Sequence, residues 1–403
     1  MNQIMWKPKD KKIQSSQMTI FMNYVNIYYG ISLQNYNQLY NWSIDKAEDF
    51  WRCFWEYSDI IHHKSYNYVV DDIHRMPGAK WFEGASLNFA ENLLRFRDEK
   101  VAIHFYGEDE YQISITYKEL CSRVKRLSNS LRKIGIKKND RIAGILPNIP
   151  ETIIAMLATS SIGAIWTSCS PDFGIKGVLD RFSQIEPKII FTASGYKYNG
   201  KNIFCLKKLQ NILSELPSVE KTIIVPFIKD NDYISINNFL LWDDFIENGS
   251  GDFYFEELPF DHPLYIMYSS GTTGLPKSIV HSSGGTLVQH LKELMLHTDL
   301  SRDDNIFYFT TCGWMMWNWL VSSLAVGSTI ILYDGSPFYP DGTTLLKMAD
   351  KLGITIFGTS AKYISSLESA GIKPKTISTF PKLRTILSTG SPLCEENYDY
   401  VYK

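Results

Sequence analysis

From about residue 100 the chain switches between two hydrophobic periods. Leu120, Val124, Leu127, Leu131 and Ile134 recur at steps of four, three, four and three, which is one face of a helix. Thr116 and Glu119 stand before them as a T-x-x-E capping box, and Gly135 follows as a stop. Short apolar runs at 141–146, 164–167 and 188–192 alternate with helical stretches at 151–162 and 175–185, punctuated by Pro147 and Gly163. Strands alternating with helices over short turns predict an α/β fold class with a mostly parallel sheet.

Residues 199–261 are more mixed. A strand is expected at 223–226, and the Asn248 to Asp252 string NGSGD reads as a loop. After Pro263 the alternation resumes. Strands are expected at 264–268, 306–309, 329–333, 354–357 and 384–387, and helices at 286–297, 344–352 and 362–370. The first 95 residues differ again. Residues 45–60 have helical apolar spacing and carry Phe50, Trp51, Phe54 and Trp55, followed by Trp81 and Phe82. They read as a helical arm whose aromatics pack on a larger body rather than on a ligand. The expected organisation is therefore an arm at 1–95, a first α/β subdomain at 96–255 and a second at 256–403.

Composition narrows the function classes. Of 403 residues, 44% are hydrophobic, which suits packed cores and excludes a disordered chain. Lys plus Arg is 41 and Asp plus Glu is 43, a net charge of -2, so nucleic-acid binding by bulk charge is not expected. The longest apolar stretches, 153–166 and 319–333, are interrupted by Ser, Thr or Gly and fall short of the ~18 apolar residues of a membrane span. The polar start, residues 1–12, has no signal-peptide core. The six cysteines are scattered without C-x-x-C spacing. No zinc site or disulfide framework is expected, and a reducing, cytosolic compartment fits.

The densest chemistry lies in residues 268–277, YSSGTTGLPK. An apolar strand runs directly into small hydroxyl and glycine residues and then a lysine. Glycines admit an anion close to the backbone, successive N–H groups form a concavity, and hydroxyls and Lys277 add donors and charge. This is a phosphate cradle. Its lysine lies three residues after Gly274, not directly after a glycine as in G-x-x-x-x-G-K-[ST], which contradicts a Walker-type NTPase.

This string resembles the phosphate-binding loop of the adenylate-forming superfamily, which includes the acyl-CoA synthetases. Residues 278–285 (SIVHSSGG) continue as in acetyl- and acetoacetyl-CoA synthetases. Residues 289–300 (QHLKELMLHTDL), 310–319 (TTCGWMMWNW) and 332–337 (LYDGSP) are similar to the acetoacetyl-CoA synthetase family in particular, as are 166–174 (WTSCSPDFG) and the Trp-rich arm. The resemblance covers essentially the whole chain. It implies the large N-terminal domain of an adenylate-forming enzyme, built of stacked α/β subdomains, without the small C-terminal lid. It also implies ligation of acetoacetate to CoA through an acyl-adenylate, with ATP and CoA as substrates, Mg²⁺ as metal and a place in lipid metabolism.

By the same resemblance, Ser269, Ser270, Gly271, Thr272, Thr273, Gly274 and Lys277 hold the ATP phosphates, with Thr272, Thr273 and Lys277 taking part in catalysis. Thr311, Cys312, Gly313 and Trp314 line the acyl pocket at a strand end, where open α/β sheets bind ligands. Trp317 and Trp319 read as core, and Cys312 has no activating base that would make it a nucleophile. Gly390, Ser391 and Pro392 are expected to touch adenine and ribose. Ser168 and Gly174 are expected at the CoA site, with Lys201 or Lys197 on its phosphate, although either lysine also reads as a solvated surface residue. His281 and His290 read as structural.

Members of the family continue well past the position of Lys403. The resemblance puts there the acidic region for Mg²⁺, the aspartate on the ribose hydroxyls, the hinge and the lid with its lysine. The sequence is thus expected to be a partial form of a longer enzyme that does not complete catalysis alone. Two alternatives stay open: a synthetase for another short acid such as acetate or propionate, and a catalytically dead nucleotide-binding truncation.

Overall fold

A computed structural model describes residues 4, 6–229, 236, 238–269 and 274–403. Local signals act where they were read. Thr116 caps the helix Tyr117–Lys133 by accepting the Glu119 N–H at 3.1 Å, and Leu120, Val124, Leu127 and Leu131 form its buried face. The next helix, Pro150–Ser161, opens with Pro at its first position and buries every residue except the half-buried Glu151. It lies inside the molecule, so its sequence is apolar or small all round rather than amphipathic.

Among the described residues, two large sheets dominate. The first has seven strands in the order Phe239–Leu241, Lys221–Val225, Ile189–Ala193, Arg141–Ile145, Ile165–Cys169, Pro263–Ser269 and Lys277–Ser282. The second has six, in the order Thr385–Thr389, Ile356–Ser360, Asn305–Tyr308, Thr329–Asp334, Val101–Gly107 and Gln112–Thr116. Neighbours are parallel in both except at one edge of each, where Lys277–Ser282 and Gln112–Thr116 run antiparallel. The α/β fold class with mostly parallel sheets is as the periodicity indicated.

Strand pairing cuts across a boundary at 255. Val101–Gly107 pairs with Thr329–Asp334 in the second sheet, and Pro263–Ser269 pairs with Ile165–Cys169 in the first. Each sheet takes two of its strands from beyond that boundary: Pro263–Ser269 and Lys277–Ser282 in the first, and Val101–Gly107 and Gln112–Thr116 in the second.

The arm contributes the helices Gln17–Tyr29, Tyr36–Asp45 and Ala47–Tyr57. Its aromatics are core. Phe21, Phe54 and Trp55 are buried within one hydrophobic cluster that runs on to Ile356. Trp55 stacks on Phe82 with centroids 4.7 Å apart and leans on Phe260 at 6.2 Å. Burying such a side chain contributes about 1.5–3 kcal/mol, so the arm is held by its aromatics. No helix among the described residues is long and apolar enough to cross a membrane.

Candidate functional site

The C-terminal ends of strands from both sheets meet. Ser168, near the end of Ile165–Cys169, donates its hydroxyl to the Cys312 carbonyl at 2.7 Å. Asn148, just beyond Arg141–Ile145, donates its side-chain amide to the carbonyls of Thr310 at 3.3 Å and Tyr333 at 3.2 Å, and its backbone N–H to Asp334 Oδ1 at 2.9 Å. Trp317 Nε1 donates to Asn148 Oδ1 at 2.9 Å. Asn318 Nδ2 reaches the Met267 sulfur at 2.9 Å, which ties in the strand Pro263–Ser269. A narrow crevice between the sheets is lined by residues 166–168, 265–267, Cys312, Gly313 and Asn318.

The segment expected to line the acyl pocket divides by orientation. Trp314, the residue before the helix Met315–Ser322, is 63% exposed. The Thr311 hydroxyl is buried without a hydrogen-bond partner among the described residues. Gly313 lies so close to the Ile165–Cys169 strand end that an added methyl would touch the Ser170 nitrogen at 3.6 Å. Cys312 faces the other way. Its thiol donates to the Leu146 carbonyl at 3.0 Å, and burial pushes its pKa up. Its side chain therefore belongs to the core, leaving only its backbone toward the segment. Trp317 is fully buried and Trp319 nearly so, as core residues.

In the segment expected to bind phosphate, Ser269 ends one strand and pairs across the hairpin with Lys277, which starts the next. Ser270, Gly271, Thr272 and Thr273 lie outside the described residues. Gly274 has φ +110° with open space where a side chain would project, a backbone that favours glycine. Lys277 is exposed. Gln184, which sequence reading passed over, anchors this side of the loop. Its Nε2 donates to the Pro276 carbonyl at 2.9 Å, and Ser278 donates to its Oε1 at 3.2 Å. Tyr268 accepts from Thr167 Oγ1 at 3.3 Å beneath the Arg181 guanidinium, which sits 5.6 Å from the ring centre.

Gly390, Ser391 and Pro392 follow the edge strand Thr385–Thr389 and are exposed. That strand is parallel to Ile356–Ser360, which in turn is parallel to Asn305–Tyr308, so 390–392 and 311–314 occupy the same end of the second sheet. Ser168 is buried in its bond to Cys312, whereas Gly174 is exposed as the residue before the helix Ile175–Phe182. Lys201 is exposed on a separate hairpin, where Lys197 pairs with Asp109 at 2.7 Å. His290 is buried, 2.7 Å from the Ser322 hydroxyl, and burial lowers its pKa to about 3, so it is neutral and structural. His281 lies beside Tyr265, its pKa also lowered by burial.

Asp334 is the electrostatic outlier. Burial, with Glu108 and Asp172 as neighbouring like charges, outweighs the hydrogen bond from Asn148 and raises its pKa from 3.8 to about 7. Among the described residues, no group of three or more His, Cys, Asp or Glu side chains is disposed to hold a metal ion.

Comparison with known proteins follows the same lines. The family pattern for AMP-binding enzymes matches residues 89–401, and that for the acetyl-coenzyme A synthetase N-terminus matches residues 36–93. The chain belongs to the AMP-binding enzyme family. It is 47% identical to the acetoacetyl-CoA synthetase of Mus musculus over 411 residues, covering 100% of this chain and 61% of that protein. It is 41% identical to the malonamoyl-CoA synthetase vrtB of Penicillium aethiopicum, covering 100% of this chain and 59% of that one. The solved acetoacetyl-CoA synthetase from Streptomyces lividans superposes with a TM-score of 0.93 at 40% identity, over 99% of this chain and 62% of that one. The chain thus spans about three-fifths of the length of the curated relatives it matches.

Proposed function

We propose that this chain carries the ATP- and acid-binding part of an acid–thiol ligase that joins acetoacetate to CoA. The observation that carries the reading is the 47% identity to an acetoacetyl-CoA synthetase along the whole chain. In the first half-reaction an acetoacetate oxygen attacks the α-phosphorus of ATP. The bond to the bridging oxygen breaks and pyrophosphate leaves. In the second, the CoA sulfur attacks the acyl carbonyl, the bond to AMP breaks, and the thiol proton passes to solvent. Both steps place charge on phosphate oxygens, which preorganised donors stabilise.

In this reading Ser269 to Gly274 and Lys277 cradle the phosphates, with Thr272, Thr273 and Lys277 following the phosphoryl charge. Thr311, Gly313 and Trp314 wall the acid, and Gly390 to Pro392 meet the nucleoside. Gly174, with the turn that Ser168 opens, and Lys201 serve CoA. A cytosolic place in lipid metabolism goes with this proposal. A second reading, a synthetase for a different short acid, draws on the similarity to a malonamoyl-CoA synthetase.

The test is ATP–pyrophosphate exchange with acetoacetate, acetate and propionate, run on the native protein from its source cells and on the 403-residue chain. Exchange at least about tenfold faster with acetoacetate, lost in Lys277→Ala, supports the proposal. Faster exchange with acetate or propionate would move the assignment to that acid. Nucleotide binding with no exchange in either preparation would replace the ligase with a nucleotide-binding role.

A further inference from the structure

Asn148 lies in a turn between an apolar strand and a helix, and nothing in its sequence context marks it as functional. In the fold it is 2% exposed, and both atoms of its side-chain amide and its backbone N–H are engaged. Its amide nitrogen gives one proton to the Thr310 carbonyl and one to the Tyr333 carbonyl. Its amide oxygen accepts from the Trp317 indole, and its backbone N–H binds Asp334. Thr310 and Trp317 bracket the segment 311–314. One side chain just beyond a strand of the first sheet thus grips both ends of a segment of the second, while the middle keeps a Thr311 hydroxyl without a partner among the described residues and an exposed Trp314 indole.

Only an asparagine-like group meets this set. Two donors must face two carbonyls while an acceptor faces an indole N–H, in one plane. Aspartate has the same shape but would turn an oxygen against the two carbonyls, and a buried unmatched polar group is strongly disfavoured. Serine cannot span the three partners.

We propose that Asn148 is a positioning residue that sets the geometry of Thr311 to Trp314 and thereby the acid the site accepts. This rests on the reading of that segment as the acyl wall. Asn148 does not touch the reacting atoms. Its effect reaches them by fixing the wall against which the acid is aligned for attack, where small displacements carry large rate effects.

The experiment compares the full chain with Asn148→Asp and Trp317→Phe. The second removes the indole donor to Asn148 together with part of a buried ring. Asn148→Asp is expected to raise the KM for acetoacetate about tenfold and to lower the acetoacetate-to-acetate ratio of kcat/KM by a similar factor, with the KM for ATP changed less than about twofold. Trp317→Phe is expected to shift the same ratio in the same direction by about two- to fivefold. A folded Asn148→Asp with unchanged acid selectivity, or with the KM values for acid and ATP raised alike, overturns the proposal. If Asn148→Asp does not fold, Trp317→Phe decides by the same criteria. Should the unaltered protein show no acid-dependent exchange, the reaction assignment falls separately. Backbone hydrogen exchange then judges the clamp: acceleration confined to 310–317 in the variants upholds it, and uniform or no acceleration refutes it.

Discussion

Two turns that read alike in the sequence have opposite surroundings. Residues 309–314 and 390–392 both follow a strand. The first is tied from the opposite sheet by Ser168 to Cys312, Cys312 to Leu146 and Asn148 to Thr310. The second follows a strand paired on one side only among the described residues, with Ile386 40% exposed and open space around Gly390. Sequence grammar places a turn at the end of a strand. Long-range partners decide whether it is rigid. Under the proposed function, a wall that aligns a small acid would gain from rigidity, and an open turn would suit a nucleotide base that arrives from solvent.

The largest way to break this contrast is Trp317→Ala. It empties a fully buried site and removes the indole donor to Asn148. It should cost about 3–5 kcal/mol in urea unfolding, and a loss under about 1 kcal/mol would mean that the first turn is not locked.

The next uses Asp334. Its folded pKa of about 7 lies above its ordinary 3.8, so the sign runs against the usual carboxylate. Below pH 4 the group is neutral folded and unfolded. Between pH 4 and 7 only the unfolded chain ionises, and stability falls by about 1.4 kcal/mol per unit. The total is up to about 4 kcal/mol, with no further loss above pH 7. Asp334→Asn keeps the acceptor for Asn148 and should flatten that slope in denaturation curves taken from pH 4 to 8. Parallel curves for the two proteins would refute the assignment.

Ser168→Ala should come next, at about 1–3 kcal/mol, because it leaves the buried Cys312 carbonyl without its donor. The smallest effect belongs to the open side. Ile386→Lys should change stability by less than about 0.5 kcal/mol, and a larger loss in the same assay would show that the edge is more supported than its exposure implies.

Legibility followed the range of the interactions. The Thr116 cap and the helix behind it were readable because partner and donor are three residues apart. The arm aromatics were readable as core because their spacing repeats. The strand Lys277–Ser282 was not expected. It is an edge strand whose apolar Ile279 and Val280 are 45% and 57% exposed, so it lacks a buried strand's alternation. Cys312 was placed in the acyl pocket with its neighbours, yet its side chain turns inward, because adjacent residues in a turn need not share a face. Asn148 left no signal at all, since its partners lie 162 to 186 positions along the chain.

The sequence by itself determined the strand and helix alternation and the family resemblance, both of which rest on residues near one another along the chain. The tertiary structure alone decided that Val101–Gly107 completes the second sheet, that the strand ends of the two sheets face each other, and that one asparagine joins them. The physical reason is the same in each case. A buried backbone or amide group must find a partner, and the sequence gives the group without saying which distant segment folding will bring to it.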